Sequence, residues 1–314
     1  MTPASTHPTS RRSFLRGAAA VALASRLPAH AAGANESGYI DAHSHVWTPD
    51  TQRYPRAAAF ATKQAPDPKS FTPEELFAHC RPAGVTRIVL IQMSFYQYDN
   101  RYMLDAIATH PGVFRGVAVV DENAPQVPDT LRRLARAGVT GIRLYADQER
   151  AETWAGSTGM QALWRAATDQ GIAICPLAHP EALPAIHRMI ERHPRTRIVI
   201  DHCARIGART PVNDRDLDQL CALAKFEHVH VKTSAFYALG EKKAPYTDLG
   251  PMIRRLRDAF GASRLMWASD CPFQVQNGHT YAASIALIRD RLDFLTADDR
   301  TWLLRKTAEK VYFA

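Results

Sequence analysis

Two histidines separated by a single residue, His43 and His45, follow the apolar run that begins at Tyr39. In an extended chain residues i and i+2 share a face, so both imidazoles aim one way and Ser44 the other. Two neutral imidazoles converging at a strand end form half of a site for a divalent ion such as Zn²⁺; an isolated pair reads equally well as core histidines satisfied by backbone groups. Three later segments repeat the theme. Ile174-Cys-Pro-Leu-Ala-His179, Ile198-Val-Ile-Asp-His202 and Met266-Trp-Ala-Ser-Asp270 each end an apolar run on a histidine or an aspartate. Imidazoles with one carboxylate suit a zinc-like ion whose exchangeable water has its pKa lowered to about 7. Asp270 fits two roles, ligand or general base, and the residue types leave both open.

Such a cluster needs a frame that brings distant segments to one place. Short apolar, β-branched runs recur at Tyr39–Ala42, Arg87–Met93, Phe114–Val120, Gly141–Leu144, Ile172–Leu177, Arg197–Asp201, Val229–Thr233 and Leu265–Ala268. Amphipathic stretches alternate with them, among them Thr72–Ala83, Val127–Ala137, Thr158–Gln170, Glu181–His193 and Asp214–Ala224, and several run into glycine before the next strand. Strict alternation predicts a parallel sheet, and eight repeats predict closure into an α/β (β/α)8 TIM barrel. No glycine-rich phosphate fingerprint follows the first strand, which argues against an open dinucleotide-binding sheet. In a barrel all strand C-termini share one rim, where the active sites of this fold are built. The irregular segment Thr48–Ser70 follows the first strand and is expected to lie over that rim.

The start of the chain reads as an address. Thr9-Ser-Arg-Arg-Ser-Phe-Leu-Arg16, the apolar run Gly17–Ala24 and Ala29-His-Ala31 match a twin-arginine signal with an A-x-A cleavage site. Residues 1–31 are therefore expected to be removed on export to the periplasm, leaving one domain over 32–314. The apolar run is far shorter than the ~20 residues a bilayer span requires. That segment carries four arginines and no acid, so the formal charge falls from +8 to +4 without it. No basic block remains to track a nucleic-acid backbone, and a small molecule is the expected partner. Five cysteines at irregular spacing give no disulfide framework and read as buried thiols. Arg143, Arg205 and Lys232 lie at or near strand ends and suit an anionic or polyhydroxy substrate, with Tyr145, Ser234 and Tyr237 as further polar contacts.

The H-x-H of the first strand and the Ser-Asp-x-Pro after the eighth resemble the amidohydrolase superfamily, in its amidohydrolase-related branch. The resemblance spans nearly all of residues 32–314 in element order. It implies that His43, His45, His179 and Asp270 are metal-ligand positions, with His202 beside the ion as a proton-transfer or carbonyl-polarising group and Asp270 also acting in catalysis. Binuclear members end strand four in a bridging lysine or glutamate, whereas Gly141-Ile-Arg-Leu144 has neither, so one metal at most is expected, with Zn²⁺ the natural choice. The resemblance also allows a metal-free route in which the same carboxylate activates water. Val-Ile-Asp-His-Cys and Ala-Ser-Asp-Cys-Pro-Phe look like the group that includes sugar-lactone and 2-pyrone-4,6-dicarboxylate lactonases, although those commonly have tryptophan where Cys271 stands. Lactone hydrolysis is the expected activity. A non-oxidative decarboxylase of the same branch is the alternative, followed by a periplasmic binding protein without turnover.

Overall fold

The computed structural model describes residues 38–314, and the leader assigned to residues 1–31 lies outside them. Eight strands lie in sequence order and all neighbours run parallel: β1 Tyr39–Ser44, β2 Val85–Ile91, β3 Phe114–Ala118, β4 Val139–Ala146, β5 Ala173–Ala178, β6 Ile198–Ile200, β7 Val229–Ser234 and β8 Leu265–Ala268. A helix follows each strand: α1 Pro73–Cys80, α2 Arg101–Thr109, α3 Val127–Arg136, α4 Thr158–Asp169, α5 Leu183–Arg192, α6 Asp214–Cys221, α7 Gly250–Phe260 and α8 Tyr281–Ala286. The sheet curls back on itself through a parallel bridge between Ser44 and Cys271, flanked by Asp270 N–H to His43 O and His45 N–H to Cys271 O, both 2.8 Å. The result is the (β/α)8 arrangement that strict alternation predicts.

Local chemistry explains the element boundaries. Helix α1 starts where Thr72 Oγ1 accepts from Glu75 N–H while the Glu75 carboxylate accepts from Thr72 N–H, with Pro73 at the first helical position. Gly84 and Gly138 reverse the chain into β2 and β4 at φ +83° and +91°, a conformation that costs glycine little. The barrel interior is filled by one inward residue after another, Ile40, Val89, Val117, Val199 and Met266 among them. A Cβ on Gly141 would come within 2.9 Å of Val117 and 3.1 Å of Cys175, so β4 contributes no side chain at that level. Tyr312, from the last turn of the chain, closes the lower end and sits under the Lys232 ammonium at 5.4 Å.

His230 lies buried near the start of β7, its Nδ1 against the His228 carbonyl at 3.2 Å, and burial pushes its imidazole down to about 4. The unfolded chain therefore binds this proton first. The stability this histidine gives is complete above about pH 6.5 and is lost as pH falls towards 4. The unfolding free energy is expected to drop by about 2 kcal/mol on this account between roughly pH 7 and pH 4.5. Urea titrations of wild type and His230→Gln test it, because the variant should lose that part of the pH slope and an unchanged slope would reject the assignment.

Candidate active site

The first strand reaches the site through an irregularity. Between Asp41 and Ser44 three residue steps on β1 face two on β2, from Ile88 to Leu90. This extra residue is a β-bulge, a feature that re-aims side chains beside active sites. Ile40 and Ala42 face the interior below it, yet His43, of opposite parity, also points inward above it. The N–H of His43 is taken up by the buried Asp41 carboxylate at 3.1 Å. Asp41 also accepts from Ser44 Oγ, Ser269 N–H and Oγ, and Tyr281 OH, which ties the bulge to the segment carrying Asp270.

After β6 the chain enters a left-handed turn in which His202, Cys203, Ala204 and Arg205 all have φ between 50° and 55°. Non-glycine residues are disfavoured there by about 1–2 kcal/mol each, so the surrounding structure must hold the turn. Its effect is to face His202 and Arg205, three residues apart, into one pocket. Asp270 follows β8 at φ +66°.

These elements meet in a 500 Å³ cavity at the strand C-termini, lined by His43, His45, Arg143, Tyr145, His202, Arg205, Tyr237 and Asp270. Asp270 is its centre. Its Oδ1 lies 3.1 Å from His45 Nε2 and 3.4 Å from His43 Nε2, while Oδ2 accepts from Tyr237 OH at 2.7 Å and faces His202 Nε2 at 3.9 Å. Burial alone would raise the Asp270 carboxyl, but His202, the close contact with His45 Nε2, and His43 outweigh it and hold the carboxyl far below its usual range. Burial and the Asp270 charge push the Tyr237 phenol up, so it stays a donor. Burial lowers His202 to about 4, and burial with Lys232 and His202 lowers His43 well below its ordinary value. Both are neutral near pH 7, the form that ligates metals.

The donor set fits one divalent cation. Ligand atoms of His43, His202 and Asp270 lie within 4.8 Å of one another. His45 adds an independent sign. Its Nδ1 faces the Ile91 carbonyl at 2.9 Å, an acceptor only, so Nδ1 carries the hydrogen. In the neutral ring Nε2 then presents a lone pair to the Asp270 carboxylate, a contact that requires a proton or a cation between them. Arg143 donates to His43 Nε2 at 3.1 Å and competes for that lone pair.

Beneath the cavity Asp201, wholly buried at the end of β6, pairs with Lys232 Nζ at 3.0 Å, Arg143 at 3.0 Å and His43 Nδ1 at 3.3 Å. Burial alone would raise its carboxyl; Lys232 and Arg143 outweigh burial and hold it well below the usual range.

The structure thus gathers His43, His45, His202 and Asp270, with Arg143, Arg205 and Tyr145 on the wall. His179 is not gathered with them: it is half-buried, with Nε2 3.3 Å from the Arg205 guanidinium. Among the described residues the ligand atoms that come within reach of one point are those of His43, His202 and Asp270, without His179. Lys232 is also no rim residue. Its side chain points into the closed interior, fully buried on Asp201, which corrects the expectation that it meets substrate. Cys203 follows His202 through the left-handed turn and is buried as expected, its thiol raised to about 12 by that burial. Two buried carboxylates, Asp41 and Asp201, are not among the site residues expected from the sequence. Both stand beside site histidines, in Ile40-Asp-Ala-His43 and Ile200-Asp-His202, and an acid inside an apolar strand run is the signal that marks them.

The family model described as amidohydrolase matches residues 40–314. An L-fucono-1,5-lactonase of Burkholderia ambifaria is 31% identical over 83% of this chain and 90% of its own length. A 4-sulfomuconolactone hydrolase of Hydrogenophaga intermedia is 27% identical over 75% of each. Among solved structures, a putative 2-pyrone-4,6-dicarboxylic acid hydrolase from Pseudomonas putida superposes with a TM-score of 0.75 at 26% identity, covering 88% of this chain and 97% of that one. With its strand-end histidines and aspartate gathered at one rim and the match running from the first strand to the last residue, this chain belongs to the amidohydrolase family and is a hydrolase.

Proposed function

We propose that this protein opens the ring of a small anionic or polyhydroxy lactone by hydrolysis. The observation that carries the reading is one carboxylate, Asp270, ringed by three imidazoles at the base of a cavity whose wall presents the guanidiniums of Arg143 and Arg205. The lactones named for the relatives are the nearest chemical guides.

In this mechanism Arg205 and Arg143 bind the substrate's carboxylate or hydroxyl groups and turn its carbonyl towards the histidines. Asp270 Oδ1 accepts a proton from the attacking water as the new C–O bond forms, and the ring C–O bond breaks. The protonated carboxyl then returns that proton to the departing alkoxide, so Asp270 ends the cycle ionised. Tyr237 holds Oδ2 so that Oδ1 faces the water. A carboxylate held this far below its usual range is a weak base on its own. A divalent ion, Zn²⁺ in this proposal, bound by His43, His202 and Asp270 would supply the missing acidity by bringing water's pKa near 7. His45, locked by Ile91 O, keeps Asp270 aimed at the same point.

The test is turnover on a panel of L-fucono-1,5-lactone, 4-sulfomuconolactone and 2-pyrone-4,6-dicarboxylate, followed by acid release, with aromatic acids followed by CO2 release. Acid release without CO2 is expected, together with near one zinc per chain and at least a hundredfold loss of rate on chelation. CO2 evolution would instead make the protein a decarboxylase, and binding without turnover a binding protein. Full activity after chelation would move water activation to Asp270 and His202 alone. We further propose that the Arg11-Arg12 signal directs the chain to the periplasm, which fractionation of cells expressing wild type and an Arg11→Lys, Arg12→Lys variant would check.

A further inference from the structure

A second cavity, of 280 Å³, opens beside the first at the strand C-termini. Ser94, Arg143 and Tyr145 line both, so the two spaces are neighbours across a shared wall. Its remaining surface is mixed: Phe60 from the insertion after β1, Tyr98 from the loop after β2, and Val119 and Val120 just after β3 supply apolar faces, and Gln97 and the Arg150–Glu122 ion pair supply polar ones. None of the proposed steps uses it.

A further feature points to a ligand. Tyr98 is 51% exposed, the most exposed large apolar side chain among the described residues. The chain presents it by way of Gln97 at φ +47° and ψ −116°, a sparsely populated conformation of the kind kept at ligand clamps.

We infer that the substrate has two parts: a lactone ring over Asp270, and a flat aromatic substituent that lies in the side cavity between Phe60 and Tyr98. The inference rests on the lactone reading and narrows it to aryl-substituted lactones. Size agrees, since a cavity of about 150 Å³ suffices to hold benzene. Chemistry agrees too, because aromatic faces and valine side chains reward burial of a ring and offer a sugar hydroxyl little.

The experiment compares γ-butyrolactone with racemic γ-phenyl-γ-butyrolactone, which share the ring and the ester bond. The phenyl compound is expected to have a kcat/KM at least tenfold higher, mainly through KM. In Tyr98→Ala that preference should fall at least fivefold. Tyr98 is exposed enough that its loss does not threaten folding, and Phe60→Ala should move the ratio the same way. Equal kcat/KM for the two lactones, or a preference unmoved in both variants, overturns the inference. If neither lactone turns over, calorimetry with the ring-opened acids decides: 4-hydroxy-4-phenylbutanoate must bind at least tenfold tighter than 4-hydroxybutanoate and lose that margin in Tyr98→Ala. Equal binding of the acids refutes the side cavity, whereas failure of the whole lactone panel with the aryl preference intact refutes only the hydrolytic reading.

Discussion

Asp270→Asn is expected to lower kcat by about three orders of magnitude, within the range general acid–base catalysis supplies, while the protein folds normally. The change keeps the size and shape of the side chain and removes the anion that takes the proton from water. Three features of the site sharpen the expectation. Asp270 Oδ1 faces the Nε2 atoms of both His43 and His45, whereas the other carboxylate at His43, Asp201, lies on Nδ1 beneath the cavity and is held by Lys232 and Arg143. Asparagine tolerates positive φ far better than most residues, which matters at φ +66° and makes it a cleaner probe than alanine. The Tyr237 hydroxyl can still donate to the amide oxygen, preserving the local packing. Turnover on whichever lactone proves active, with melting temperature as the control, checks it. A variant within tenfold of wild type would remove Asp270 from the proposed role and leave the metal, if bound, to act without it.

The second large effect is on stability. Asp201→Asn leaves Lys232 and Arg143 buried with no counter-charge, and breaking a buried ion cluster by removing one partner costs about 3–5 kcal/mol. Asp201 and Lys232 are both fully buried, so water cannot substitute for the lost carboxylate. For a chain of this size that corresponds to a fall in melting temperature of roughly 10 °C. Converting Lys232 to methionine in the same protein should recover part of the loss, because it removes the unmatched ammonium and keeps the side-chain volume. Thermal unfolding of the single and double variants measures both effects. A single variant as stable as wild type would show that the cluster carries no net weight, and a double variant worse than the single would show that Lys232 contributes beyond its charge. Activity should fall as well, since Asp201 also orients the His43 ring through Nδ1.

The sequence by itself determined the alternation of eight strands with helices, and the strand positions hold to within a few residues. That information is local: β-branched runs, amphipathic spacing, caps and glycine stops each act over a few neighbours. It also identified His43, His45, His202 and Asp270 as strand-end groups, because the barrel sends every strand end to one rim. What tertiary structure alone decided was which way each group finally points. The bulge in β1 brought His43 inward after Ala42. The left-handed turn swung His202 into the cluster, while His179 was left beside Arg205. Closure of the barrel sealed Lys232 against Asp201 instead of exposing it at the mouth. Each outcome depends on contacts between residues far apart in the chain, such as Asp41 with Ser269 and His43 with Asp201. A bulge or a strained turn persists only where such contacts outweigh its cost, and no local pattern of residue types records that balance.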